Sequence, residues 1–445
     1  MSILLKDAVR LMSPNDTYSL YSRLHERLSK LVSQKKLIEA EILSIDNDGE
    51  DDPYMCANGK RECIYNKPDI ERDLYSGKNI RNLDKIMEKY GVEGVYKVNG
   101  RNTWKVSQSN RNKLAQALTL FMPFERSENQ TLQMFIVSNL KGGSGKSTLA
   151  SNLAAALATQ TMNSYRIGLI DLDPQGSATD IYLPYLDDDA LSVGDLLLEE
   201  FELDDNETFE SVCRDAFLEV NIPNVKVLPA RTADARYDFY SKMKGLESQE
   251  KGVVYHSHDQ LMRIVEAVKD DFDIILFDTP PQLNEAAFAA HFVATSSIIP
   301  MRSEQNDRDS TIKYMEQLKS LYRSMVSAGH KGYNSIHLIQ MALSTQSKTE
   351  MTIATEIDTL TSGNSLTHFL SSEAIKRCST LFKNIFELSP SEFAKKDTDT
   401  NKAQYGSREM LMKAQDNVKT IALEIEREVL KVWEYQEDQA EKQRG

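Results

Sequence analysis

Residues Lys141-Gly142-Gly143-Ser144-Gly145-Lys146-Ser147-Thr148 follow the apolar run Met134-Phe135-Ile136-Val137 and precede a helix-forming run from Leu149 to Leu157. Glycines let backbone N–H groups approach a phosphate, because no side chain intervenes. A helix starting at such a loop adds the positive end of its dipole. Lys146 is placed to reach the β- and γ-phosphates, and the Ser147 hydroxyl to ligate Mg²⁺. The string ends in the usual G-K-[ST] but departs from G-x-x-x-x-G-K-[ST]: Leu140 stands where the first glycine would be, and Lys141 follows it. A strand before and a helix after are the context that a nucleotide-phosphate loop demands. ATP contacts are therefore expected from Gly142, Gly143, Ser144, Gly145, Lys146, Ser147 and Thr148.

Two carboxylate stations follow, each closing an apolar run. The first is Ile167-Gly168-Leu169-Ile170-Asp171-Leu172-Asp173, and the second is Ile274-Ile275-Leu276-Phe277-Asp278. A carboxylate at the C-terminal end of a parallel strand faces the crevice where such sheets bind ligands. Magnesium takes hard oxygen ligands and keeps several waters, so one or two carboxylates suffice. Asp278, Asp171 and Ser147 are the expected metal set. Asp171 and Asp173 lie two apart and share a face on an extended strand. One can serve the metal shell while the other orients an attacking water.

The string K-G-G-x-G-K-[ST] with Lys141 resembles the deviant Walker A ATPases, and Asp171-Leu172-Asp173-Pro174-Gln175-Gly176-Ser177-Ala178-Thr179 resembles the DxDPQGxxT segment of their ParA branch. Ser192-Val193-Gly194-Asp195-Leu196-Leu197, Asn224-Val225-Lys226-Val227-Leu228-Pro229-Ala230 and the Pro280-Pro281 pair agree in order. The resemblance covers roughly residues 130–435 and loosens after 300. It implies that Lys141 reaches across a nucleotide-sandwich dimer to the partner's phosphates. It makes Asp173 the water-positioning residue and Asp278 the Walker B carboxylate. Lys141, Lys146 and Asp173 are then the catalytic set. The adenine pocket is expected near Pro300 and Met301.

The chain has 445 residues, with Lys plus Arg 53 against Asp plus Glu 67 and a formal net charge of −14. An acidic chain contacts DNA only through local basic patches. No apolar run approaches the ~20 residues of a membrane span, and the first residues lack a signal-peptide core. Four cysteines fit a reducing cytoplasm. Cys56 and Cys63 are too few for a zinc site without nearby histidines.

Four regions are expected. Residues 1–45 carry a helix over 16–43, with Leu24, Leu28, Leu31, Lys35, Ile38 and Ile42 in a heptad seam. That seam either dimerises, which is the expectation, or lies on the chain's own core. Residues 46–76 read as an acidic linker. Residues 77–128 contain a basic stretch, nine Lys and Arg against three Asp and Glu over 77–121. A short helix there ends at Gly91, and Asn99-Gly100 between β-prone runs marks a hairpin. This resembles the winged helix-turn-helix of the longer ParA proteins, with Lys97, Arg101 and Lys105 as DNA contacts, although no recognition helix is evident between Gly91 and Gly94. Residues 129–445 form the ATPase domain, an α/β fold with a mostly parallel doubly wound sheet of the P-loop NTPase type. Its strands are expected at 133–138, 166–171, 225–228, 273–278, 296–300 and 336–342. A long amphipathic helix spans 407–442.

The resemblance implies an ATP- and Mg²⁺-dependent DNA-partition ATPase. It would dimerise on ATP, extend in some members to filaments, and bind DNA without sequence preference. A ParB-type partner would release it. It would sit in the cytoplasm on the nucleoid and also bind its operator. Lys376, Arg377, Arg408 and Lys413 are the cations in the region the family uses for non-specific DNA. The alternatives are a nucleotide-regulated repressor with little turnover and a MinD-like membrane ATPase. The mixed-charge tail from Trp433 to Gly445 argues against the latter.

Overall fold

The computed structural model describes residues 22–23, 25–30, 33, 54–75, 81–98, 101–361, 363–396 and 403–444. The chain forms two units, Met1–Pro53 and Tyr54–Gly445. In the first, the described residues are helical and Leu28 is exposed. The other seam positions, Leu24, Leu31, Lys35, Ile38 and Ile42, lie outside the described residues, and so does the dimerisation expectation.

The second unit begins with a small module. It comprises β1 (Ile64–Tyr65), α1 (Lys67–Tyr75), α2 (Leu83–Lys89), β2 (Val95–Val98), β3 (Arg101–Trp104), β4 (Val106–Ser107) and α3 (Gln108–Ala117). β2 and β3 pair antiparallel with Val95 opposite Trp104 and Val98 opposite Arg101, the register that a two-residue turn at 99–100 imposes. β1 pairs antiparallel with β4. Cys63, Tyr65, Ile70, Leu83, Met87, Val92, Val106 and Leu114 form a core of their own.

The linker expectation for 46–76 fails over 54–75. The run Asp46 to Asp52 that suggested a linker lies outside the described residues, whereas Lys60 and Asp73 within 54–75 are buried in ion pairs. Lys60 meets Glu387, and Arg111 meets Asp73, with all four side chains at most one-tenth exposed. Arg111 is thus a structural cation rather than part of a basic surface. α1 and the expected short helix α2 both precede the hairpin, and no helix lies between Gly91 and β2.

The body is one eight-stranded sheet. Its strands are β5 (Gln133–Val137), β6 (Ile167–Asp171), β7 (Leu218–Glu219), β8 (Val225–Leu228), β9 (Ile274–Asp278), β10 (Ser296–Arg302), β11 (Ser335–Leu343) and β12 (Phe369–Leu370). Their spatial order is β12-β11-β10-β5-β9-β6-β8-β7. Every pairing is parallel except β7 with β8 at the edge. Central strands such as Ile274–Asp278 are buried at every position, as a sheet covered on both faces requires. The six strands expected from sequence are all present, and the two short edge strands are additional.

Helix α4 (Lys146–Thr159) leaves the phosphate loop. Its alanines at 154, 155, 156 and 158 are fully buried, which lets neighbouring elements approach closely. Against it packs α13 (Arg408–Arg444). The expected apolar face of α13, Leu411, Ala414, Val418, Ile421, Ile425 and Val429, is buried. Each large aliphatic side chain there contributes about 1.5–3 kcal/mol by leaving water. Trp433 extends that face and stacks on Phe124 at 4.6 Å between ring centroids. No helix among the described residues is long and apolar enough to cross a membrane.

Candidate nucleotide site

The phosphate loop joins β5 to α4, and β5 lies between β10 and β9, where successive crossovers diverge to opposite sides. Ligands bind at such switch points outside the carboxyl ends of the strands. Gly143 has φ +75°, and an added Cβ would meet nothing within 4 Å, so its backbone faces open space. Gly145 has φ +91°, and a Cβ there would lie 2.9 Å from Cε of Met341. Only glycine serves at that position. Lys146 is 6% exposed, and burial lowers its pKa against the opposing pull of Asp278 and Asp173.

Asp278 and Asp171 end adjacent strands in direct register. Asp278 is fully buried, and neither carboxylate oxygen has a hydrogen-bond partner among the described residues. Burial, then the charge of Asp171, push its pKa well above the carboxylate range; Ser147 and Lys146 oppose the rise. A buried, unpartnered carboxylate beside a serine hydroxyl and an ammonium is a donor set that fits Mg²⁺. Asp278 and Ser147 are the residues that would hold it.

Asp171 is also engaged by its neighbours. It accepts from the Thr179 N–H at 2.9 Å, the Thr179 hydroxyl at 2.9 Å and the Asp173 N–H at 3.1 Å. Three of about four acceptor positions are thereby filled. Asp171, one of the expected metal ligands, thereby ties the Asp173–Thr179 segment together. Burial still pushes it up to about 7. Asp173 is 8% exposed, and its Oδ1 accepts from the Gln175 N–H at 3.0 Å. Its other oxygen has no hydrogen-bond partner among the described residues.

Lys141 forms an ion pair with Asp307 on α10 (Gln305–Ser327). The same face of α10 continues along the loop. Asn139 donates to the Thr311 hydroxyl at 3.1 Å, and Tyr314 and Ser138 hydroxyls meet at 2.6 Å. Positions 307, 311 and 314 lie on one helical stripe, so one helix holds residues 141, 139 and 138. Arg302, at the end of β10, donates to the Gly143 carbonyl at 3.0 Å.

Pro300 and Met301 are the expected adenine contacts. Both are buried within β10; the Pro300 carbonyl accepts from Asn139, and Met301 packs against Leu338 and Ile357. A cleft of about 350 Å³ opens beside the loop, lined among others by Gly143, Thr148, Arg302, Phe369, Ser372 and Lys376.

Of the DNA candidates, Lys97 and Arg101 sit on the hairpin strands, with their side chains outside the described residues, and Lys105 is exposed. Lys376 and Arg377 lie on α12 (Glu373–Thr380), which packs on α13, whose first turns carry Arg408 and Lys413. All four are exposed. Lys376 pairs with Glu373 at 2.7 Å, and Arg377 donates to the Tyr405 carbonyl. Sequence reading missed Asp307, Arg302 and the role of Thr179. Thr179 stood inside the quoted string; Asp307 and Arg302 are far from the loop in sequence, and no motif marks them.

Residues 132–327 match the family model described as an AAA domain. Identity is 28% over 212 residues with a putative replication protein A of Rhizobium rhizogenes, covering 47% of this chain and 50% of that protein. It is 27% over 229 residues with the sporulation initiation inhibitor protein Soj of Bacillus subtilis, covering 52% and 74%. With plasmid partition protein A of Escherichia coli it is 28% over 214 residues, covering 47% and 52%. Over this region the chain is similar to ParA-type partition proteins. It spans about half the length of the replication proteins that it matches. A solved structure described as a partition protein shares the fold at TM-score 0.54 and 18% identity, covering 83% of this chain and 97% of that one. The loop, the Asp171–Thr179 segment and Asp278 lie together at the carboxyl ends of the central strands β5, β6 and β9.

Proposed function

We propose that the chain is an ATP-hydrolysing DNA-partition protein that dimerises on ATP, binds DNA without sequence preference and is released by a ParB-type partner. The observation that carries this reading is the buried, unpartnered Asp278 carboxylate beside Lys146 and Ser147, with Asp173 close by. Lys146 and the loop N–H groups hold the phosphates. Asp173 orients the attacking water. Magnesium, when bound, neutralises phosphate charge. Phosphoryl transfer needs little more than such positioning and charge compensation. Lys141 leaves Asp307 to serve the partner's phosphates. Cations on α12 and α13 meet DNA, and the protein works in the cytoplasm on the nucleoid.

A second reading has one observation in its favour. Two helices followed by a hairpin bearing Lys97, Arg101 and Lys105 are fused to the nucleotide fold, which suits an operator-binding repressor with nucleotide as a conformational ligand. DNA binding without nucleotide, with ADP and with ATP, on random and upstream DNA, together with turnover, separates the two. ATP-dependent binding to random DNA with hydrolysis supports partition. Nucleotide-modulated binding to upstream DNA alone, without turnover, supports repression.

A further inference from the structure

Lys60 is a buried ammonium that nucleotide chemistry does not use. It pairs with Glu387, the two side chains being 2% and 0% exposed. Its Nζ also donates to the Ile181 carbonyl at 2.7 Å and the Phe382 carbonyl at 2.8 Å. Ile181 lies in the last turn of α5 (Ser177–Tyr182). The next carbonyl, Tyr182, accepts from the Asn58 amide at 2.9 Å. The loop carrying Asn58 and Lys60 therefore grips the C-terminal end of α5.

The N-terminal half of α5 carries Thr179, whose N–H and hydroxyl both bind Asp171. Asp171 in turn accepts the N–H of Asp173. A two-turn helix thus has the water-positioning segment at one end and Lys60 at the other. The loop is tight: Cys56 N–H donates to the Lys60 carbonyl at 2.8 Å, and Gly59 has φ +71° with an added Cβ 2.9 Å from the Tyr185 ring. Further along, Glu62 accepts from the Ser109 N–H and hydroxyl at 3.0 and 2.8 Å, at the start of α3. Tyr54 donates to the Lys105 carbonyl of the hairpin at 3.1 Å.

We infer that Lys60 is a positioning residue for hydrolysis, acting through α5 on Thr179, Asp171 and Asp173, and that its loop ties that segment to the hairpin module. This rests on the ATP-hydrolysis reading of the site. Buried pairs are weak sources of stability but hold geometry when every partner is satisfied. A displacement near 1 Å at a reacting group costs on the order of 10²-fold in rate.

The test uses the full chain. Lys60→Met removes the grip. Lys60→Met/Glu387→Gln removes both charges and guards against misfolding from an unpaired Glu387. Lys60→Arg is the conservative rescue. Affinity for a fluorescent ATP analogue, single-turnover hydrolysis and cooperative melting are measured for each. The expected result is affinity within about twofold of wild type, hydrolysis slowed about tenfold or more, and recovery of most of the rate in Lys60→Arg. A second arm follows Cys56, the half-buried thiol; Cys63, Cys213 and Cys378 are buried. A non-hydrolysable ATP analogue should change the modification rate of Cys56 in wild type and not in Lys60→Met. Unchanged hydrolysis in a folded variant, parallel loss of affinity and rate, or a Cys56 rate indifferent to nucleotide would each overturn the inference. Wild-type protein that binds the analogue without turning over ATP sinks the hydrolysis reading instead, and the Cys56 arm then decides the link alone.

Discussion

Lys141 and Asp307 allow a double-mutant cycle whose outcome follows from burial. Asp307 is 2% exposed and Lys141 32% exposed. Removing one partner of a fully buried pair costs about 3–5 kcal/mol, because an uncompensated charge stays behind. Water reaches the lysine end here, so Lys141→Ala should cost about 1–3 kcal/mol. Asp307→Asn should cost about 1 kcal/mol or less, since the freed ammonium can turn to solvent. The double variant should match Asp307→Asn alone, giving a coupling above the ~0.5 kcal/mol expected of independent sites. Melting and urea midpoints of the four proteins without nucleotide measure it. The same pair makes a functional forecast. If Lys141 must leave Asp307 to act across a dimer, Asp307→Asn should dimerise at lower ATP, about fivefold for each 1 kcal/mol released. Lys141→Ala should bind nucleotide yet fail to turn over. Additive stabilities, an unchanged ATP midpoint in Asp307→Asn, or normal turnover in Lys141→Ala would each refute the reasoning.

Three further outcomes are expected. Asp171 has a folded pKa of about 7 against 3.8 in model compounds, and Asp278 shifts in the same direction; the folded state therefore holds the protons more tightly, and stability without ligand should fall as pH rises from about 4 to 7. Asp278→Asn should raise the melting point at pH 8, narrow its difference from pH 5.5 and abolish Mg²⁺-dependent turnover; a melting point that climbs with pH in wild type argues against the buried pair. Asp173→Ala should slow hydrolysis while sparing ATP affinity, leaving an ATP-bound form on DNA, and wild-type turnover would move water positioning elsewhere. Arg377→Ala and Lys413→Ala should each flatten the salt dependence of non-specific DNA binding by about one unit, and unchanged slopes in both remove them from the interface.

The sequence made the nucleotide fold legible because its signals are local. The glycines of 142–145, the apolar runs ending at Asp171 and Asp278, and the i, i+3, i+4 face of the last helix each declare themselves within a few residues, and each appears in the structure. What was not legible depends on pairs distant in the chain. Nothing near Lys141 announces Asp307. Nothing in the residues around Lys60 says that its charge will be buried against Glu387, so a compact loop reads as a solvated linker. The end of the strand at Pro300 and Met301 can be recognised in sequence, but that β11 and β5 flank it cannot. That Asp171 would bind both the Asp173 N–H and Thr179 depended on where Thr179 folds.

The small module's seating changes how DNA activities can be separated. Residues 54–124 are joined to the body by the Lys60–Glu387 pair, by Arg111 donating to the Thr159 carbonyl at the end of α4, and by Phe124 stacked on Trp433. Cutting them away would leave Glu387 buried without its cation, at a cost of about 3–5 kcal/mol, and would strip apolar cover from α13. That is a large part of the 5–15 kcal/mol that holds an ordinary domain together. Loss of DNA binding after deletion through residue 125 would therefore report unfolding as readily as a lost contact. Substitution of Lys97, Arg101 and Lys105 leaves the buried joints intact, so these residues test the proposed operator binding, and the cations of α12 and α13 test the proposed non-specific binding. In a chain of net charge −14, any attraction to DNA must be local, so these two small groups of cations can be weighed against each other as the proposed contacts without disturbing the nucleotide site.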